Sequence, residues 1–137
     1  MHILDIFSGV GGLSLGFEQN GFNVLFANEI DKNVSPSYKK NFLKTECLTK
    51  DILEIDLKKE FSRFKKKVSV IIGGPPCQGL SQKGKRKWFS DKRNFLFKNF
   101  LEVVEIVKPE IVLIENVPNL ITADNGFFLK QIKNIFD

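Results

Sequence analysis

Apolar residues fall in short blocks separated by glycine, proline and charge, and the blocks alternate between strand-like and helix-like periods. His2 to Phe7 is mostly apolar, carries Asp5 near its end and runs straight into SGVGG, which predicts a strand entering a glycine turn. Leu13, Phe17 and in part Leu15 give a helical face over 13–20, with Gly21 placed to stop it. Val24 to Ala27 reads as a second strand, followed by the acids Glu29 and Asp31. Val34, Tyr38 and Phe42 repeat at a helical interval, and Pro36 is tolerable near the start of such a helix. A short strand and loop over 47–53, a brief helix over 57–64 and the strand VSVII at 68–72 come next. Periodicity is lost from Gly73 to Asp91, and a loop of about twenty residues in a compact domain is usually a lid or a binding loop. Helical spacing returns with Phe95, Leu96, Asn99, Phe100, Val103, Val104 and Val107; Pro109 then separates the strand IVLI at 111–114, and a further helix is expected over 125–136.

Short apolar strands alternating with helices, four of them clearly apolar, predict an α/β fold with a parallel sheet flanked by helices. Right-handed crossovers would bring Asp5, Glu29, Asp51, Cys77 and Glu115 to one edge of that sheet, where ligands of such folds bind. A sheet of about four strands leaves open edges. With the chain ending inside a helical pattern, an incomplete domain or an absent partner segment is expected.

Composition narrows this only slightly. At 137 residues and 42% hydrophobic content, one domain with a real core is expected over 1–137. The net charge of +5 eases approach to a polyanion without naming one. There is no basic segment followed by a long apolar run at the N-terminus, and the apolar block 68–72 is far shorter than the roughly 20 residues a bilayer needs. A soluble, cytoplasmic protein with no membrane partner is therefore expected. Cys47 and Cys77 are too few and too unpatterned for a disulfide framework or a zinc site, and no metal is expected.

Two constellations carry candidate chemistry. Strand, glycine turn, helix, strand and acid is the order that wraps an adenosine-bearing cofactor: Gly9, Gly11 and Gly12 let backbone approach a ligand, and Glu29 can accept from ribose hydroxyls. A plain tight turn with a solvated carboxylate accounts for the same residues. The tract DIFSGVGG also departs from GxGxxG, and Asp5 before the turn suits a cationic ligand better than a pyrophosphate. Asp51 reads equally as an adenine contact or as a loop carboxylate. The second constellation is GGPPCQG at 73–79, where glycines and prolines hold Cys77 in a shaped loop, as a reactive thiolate requires. Cys47 suits a packing role. Glu115, at the end of IVLI, can act as an acid or hydrogen-bond donor. His2 is the sole histidine and lies at the terminus, which disfavours a Cys-His hydrolase.

These motifs together resemble the N-terminal part of the DNA (cytosine-5)-methyltransferase family: DIFSGVGGLSLGF at 5–17, NEID at 28–31, KDI at 50–52, GGPPCQGLS at 73–81, DKRNFLF at 91–97 and ENVPNL at 115–120 match in order and approximate spacing. The resemblance implies a Rossmann-like fold that binds S-adenosyl-L-methionine. It implies cofactor contacts from Phe7, Gly9, Gly11, Glu29, Ile30, Asp51, Ile52, Pro76 and Leu96. It implies Cys77 as the nucleophile that adds to C6 of a flipped cytosine and Glu115 as its partner at N3. Double-stranded DNA is the implied partner, met by Ser81, Gln82, Lys83, Lys85 and Arg86, although surface lysines are as often simply solvated. The family's later catalytic segment, target-recognition domain and C-terminal cofactor segment have no counterpart in 1–137, so a second chain supplying them is a further expectation. An RNA cytosine-5 methyltransferase and a non-catalytic half-domain that binds cofactor or partner remain alternatives.

Overall fold

The computed structural model describes residues 1–76 and 93–115, together with the isolated positions Gly126, Lys130, Lys133 and Asn134; of 93–95 it describes the backbone. The elements are β1 (His2–Ile6), α1 (Gly12–Glu18), β2 (Asn23–Glu29), α2 (Ser35–Asn41), β3 (Glu46–Thr49), α3 (Leu57–Phe61), β4 (Val70–Gly73), α4 (Arg93–Val107) and β5 (Ile111–Ile114), with 3-10 turns at Ile52–Glu54 and Ser62–Phe64.

All strand pairs are parallel and the order is β3-β2-β1-β4-β5. Among the described residues the sheet thus has five strands. The one beyond the four clearly apolar blocks is β3, whose Glu46 and Thr49 break the apolar pattern and which lies half-buried at an edge. Chain order reverses between β1 and β4, where such sheets open a crevice at the carboxyl ends of their strands.

Alternation along the strands loads both faces. Leu4, Ile6, Phe26 and Ile71 join the main core with Phe61 of α3 and Phe97, Phe100, Val103, Val104 and Val107 of α4. Ile3, Val24, Val70 and Ile72 form a second cluster under Leu13 and Phe17 of α1. Ala27, Tyr38 and Phe42 seat α2 beside the half-buried Cys47, so Cys47 has the packing role expected of it.

Local chemistry sets the ends of the helices. After α1 the Phe22 amide donates to Phe17 O and the Gly21 amide to Glu18 O, with Gly21 at φ 80°. The rings of Phe17 and Phe22 meet edge to face at 5.2 Å. This is the glycine-terminated helix end with its hydrophobic clasp. Asp56 caps α3 by accepting from the Lys59 amide at 3.0 Å. Arg63 clips the bottom of the main core: it pairs with Glu46 and Glu60 and lies over the Phe64 ring.

Candidate functional site at the carboxyl ends of the strands

The turn leaving β1 is tightly specified. Phe7 (φ 65°), Gly9 (φ 55°) and Gly11 (φ 93°) all take left-handed backbone. For a phenylalanine this conformation is strained, and such strain persists only where surroundings enforce it. Half-buried Phe7 packs against the main core, while the Ser8 amide donates to Asn28 O at 3.0 Å and the Gly11 amide to Ser8 O at 2.9 Å.

The two glycines of the turn do different work. A β-carbon on Gly9 would meet nothing within 4 Å, so this part of the turn lies open to a ligand. A β-carbon on Gly11 would overlap the Phe42 ring and stand 3.0 Å from Cδ2 of Tyr38, so glycine there lets α2 close against the turn.

Glu29 ends β2 facing the open part. Its Oε2 accepts from the Gly9 amide at 2.8 Å and its Oε1 from the Asp31 amide at 2.8 Å. Each oxygen keeps further acceptor capacity, which suits a vicinal diol. Ile30 beside it is 56% exposed, an apolar surface next to the carboxylate. Asn28, unnoticed in the sequence, donates through Nδ2 to Leu48 O at 3.1 Å and Lys50 O at 2.9 Å, and the Lys50 amide donates to Glu29 O at 3.1 Å. These bonds draw the Asp51 turn up to Glu29. Asp51 itself accepts from the Leu53 amide at 3.0 Å, and Ile52 is buried in the main core, so their side chains secure the turn.

Across the switch point, Gly73 lies between β1 and α4, and the Glu115 amide donates to Gly73 O at 2.9 Å. The exposed Glu115 side chain folds over the next residue: its Oε2 lies 3.1 Å from where a Gly74 β-carbon would stand. Glu115 thus lies against Gly74, at the start of the segment that leads into Cys77. Pro76 is half-buried, and half-buried Leu96 of α4 packs against the main core. Cys77, Ser81, Gln82, Lys83, Lys85 and Arg86, together with the expected helix over 125–136 apart from four isolated positions in it, lie outside the described residues.

Below the turn lies a buried polar group of which the sequence identifies only Asp5, there as an acid suited to a cationic ligand; in the fold it is buried and engaged by Ser14. Asp5 Oδ2 accepts from Ser14 Oγ at 2.6 Å, and Ser14 Oγ lies 2.7 Å from the Tyr38 hydroxyl. Burial pushes the Asp5 carboxyl up to about 6, against the lowering effect of Ser14 and with a smaller push from Glu29. Burial also raises Tyr38, so its hydroxyl stays protonated. Tyr38 was legible as an apolar helix position, but its pairing with Ser14 spans 24 residues and has no local signal.

Comparison with known proteins agrees with this layout. A family model described as C-5 cytosine-specific DNA methylase matches residues 1–137. The chain is 39% identical to the type II methyltransferase M1.HphI of Haemophilus parahaemolyticus, over 98% of this chain and 37% of that protein. It is also 39% identical to M.FnuDI of Fusobacterium nucleatum, over 100% of this chain and 38% of that one. The fold is similar to a DNA modification methyltransferase encoded within a prophage of E. coli, with TM-score 0.80, 34% identity and coverage of 98% and 37%. It is likewise similar to the S. pombe Dnmt2 methyltransferase, with TM-score 0.75, 23% identity and coverage of 98% and 40%. The chain therefore spans less than two-fifths of the two type II relatives. With its Rossmann-like sheet, strained glycine turn and paired strand-end carboxylates, it belongs to the C-5 cytosine-specific DNA methylase family.

Proposed function

We propose that the chain provides the cofactor-binding and nucleophile-bearing part of an enzyme that methylates C5 of cytosine in DNA. The observation that carries this reading is the placement of Glu115 against Gly74, which sets a carboxyl group beside the segment leading into Cys77. Glu29, on the other side of the switch point, fits the second half of the same task.

The open turn at Gly9, the two-amide cradle of Glu29 and the exposed Ile30 fit an adenosine bearing a ribose diol and an apolar base edge. Glu29 would hold the ribose, Ile30 and the Asp51–Ile52 backbone the adenine, and Phe7, Gly9, Gly11, Pro76 and Leu96 would shape the rest. S-adenosyl-L-methionine, bound there, offers a methyl group made electrophilic by its sulfonium.

Cys77 would act on the base. Its thiolate forms a bond to C6 of a cytosine turned out of the duplex, an extrusion that costs a few kcal/mol. Glu115 donates a hydrogen bond or proton to N3, so charge entering the ring is stabilised and C5 becomes nucleophilic. After C5 has been methylated, its proton passes to solvent water, the N3 proton returns to Glu115, and the Sγ–C6 bond breaks to return the thiolate and restore the ring. Ser81, Gln82, Lys83, Lys85 and Arg86 would meet double-stranded DNA as the base is turned out.

We further infer that turnover needs segments beyond these 137 residues, in a longer chain or a second one, since the match spans 37% and 38% of the type II relatives. Labelled S-adenosylmethionine incubated with duplex DNA or transfer RNA, and this chain alone or completed by the remaining length of a relative, tests both points. Methyl transfer to cytosine in DNA by the completed protein is expected. Transfer to RNA alone would overturn the substrate, and full turnover by the isolated 137 residues would overturn the need for further segments.

A further inference from the structure

Three buried side chains beneath the turn take no part in this chemistry. Asp5 is 1% exposed, and Ser14 and Tyr38 are fully buried. They come from β1, α1 and α2, so no local structure demands that they meet. A serine has one proton to give, and an ionised carboxylate can only accept. With Asp5 ionised, Ser14 Oγ donates to Asp5 Oδ2 and the Tyr38 hydroxyl donates to Ser14. Each hydroxyl proton then has an acceptor. Through Ser14 Oγ the carboxylate also ties down the first turn of α1, whose N-cap Gly11 has no side chain to do so.

The Tyr38 ring that ends this chain of donors is also one of the two rings pressed on Gly11. The far end of the turn is therefore clamped from the side by α2 and from below by Asp5. Its middle is held by Glu29 through the Gly9 amide.

We propose that Asp5, Ser14 and Tyr38 form a buried positioning relay that fixes the α1 end of the Phe7–Gly11 turn and, through it, the Gly9–Glu29 pair that receives the cofactor. The inference rests on the cofactor reading above. Asp5 acts through the turn and is a positioning residue, not a ligand. Its Oδ1 is buried and has no hydrogen-bond partner among the described residues, which makes it the oxygen that takes up a proton in acid. Protonation there leaves Oδ2 a neutral and weaker acceptor for Ser14 Oγ, so the turn is held less firmly even though burial favours the neutral carboxyl in the fold as a whole. Burial puts that change near pH 6. The titratable groups around the relay are Glu29 of β2, Cys47 of β3 and Tyr38 itself, with Glu18 of α1 acting on Tyr38. The sheet neighbours of Asp5, Ala27 and Ile72, bring no charge.

Amide exchange at Gly9 and Ser14, and calorimetric titration with S-adenosylmethionine, would be compared in the chain completed by the remaining length of a relative, in its native form and as Tyr38→Phe, Ser14→Ala and Asp5→Asn. Tyr38→Phe keeps the ring on Gly11 and removes only the terminal donor. Loss of one such hydrogen bond predicts about fivefold faster exchange at Gly9 and about fivefold weaker cofactor binding, with a fall in melting temperature of about 3 °C. Native affinity is expected to rise severalfold from pH 5 to pH 7, and Asp5→Asn to flatten that rise, an effect that a merely structural role would not produce. Native exchange at Gly9 in Tyr38→Phe would overturn the relay even if Ser14→Ala fails to fold. A pH profile unchanged by Asp5→Asn would overturn the role of its charge. Failure of the completed native protein to bind S-adenosylmethionine would overturn the cofactor reading, while exchange at Gly9 still decides the relay.

Discussion

Gly73→Ala tests the packing that brings the two halves of the site together. Gly73 is buried at the end of β4, registered against Ile6 on one side and Ile114 on the other. A β-carbon there would overlap the Ile6 carbonyl oxygen and stand 2.8 Å from Cε2 of Phe100. The phenylalanine ring has limited room to turn, because Phe100 is fully buried in the main core. The carbonyl has none without parting β1 from β4. Overpacking of a well-packed core costs about 1–3 kcal/mol, and a clash with main chain places this site at or above the upper end, at about 3 kcal/mol. For a domain of this size that corresponds to a fall in melting temperature of roughly 10 °C. Urea and thermal unfolding followed by circular dichroism would measure it. Because Gly73 O also receives the Glu115 amide, the same substitution should disturb Glu115. A Gly73→Ala protein within 0.5 kcal/mol of native stability would refute the close approach of β1 and β4.

Other expectations concern charge. The Asp5 carboxyl sits at about 6 in the folded chain against an ordinary value of 3.8, so the fold favours its neutral form. Stability from this group is present in acid and is lost as pH rises from about 4 through 6, by about 3 kcal/mol in total. Asp5→Asn should flatten that decline and raise the unfolding free energy at pH 8 by about 1–3 kcal/mol, as read by urea denaturation across pH; a decline of native size in the variant would contradict it. In Glu29→Gln one of the two held amides loses its acceptor and a charged acceptor for the ribose is removed, so cofactor affinity should fall about tenfold by calorimetry. Native affinity in Glu29→Gln would show that Glu29 serves only the turn.

The sequence foretold elements where composition punctuates them. The strand IVLI, set between Pro109 and Glu115, runs over Ile111–Ile114 as expected, and Gly21 stops α1 in the expected way. The strand β3 was only faintly legible, because an edge strand bearing Glu46 and Thr49 carries little apolar alternation. The first strand was expected to reach Phe7, yet Phe7 leaves it at φ 65°, a conformation that no propensity assigns to phenylalanine. The order β3-β2-β1-β4-β5 depends on how crossovers pack, which periodicity does not encode. The strand-end acids were legible because each follows an apolar block. The Asp5–Ser14–Tyr38 relay and the amide of Asn28 were not, since their partners meet only after α1 and α2 have packed on the sheet. The clearest lesson concerns glycine: sequence treats Gly9 and Gly11 alike, whereas only Gly9 faces open space.

The central claim, that Cys77 attacks the base beside Glu115, is tested most directly by covalent capture. Duplex DNA carrying 5-fluorocytosine blocks release at C5 and would be incubated with S-adenosylmethionine and the chain completed by the remaining length of a relative. The native protein is expected to form a stable adduct that survives denaturing electrophoresis, Glu115→Gln to form it much more slowly, and Cys77→Ala to form none. An adduct that persists in Cys77→Ala would contradict the account.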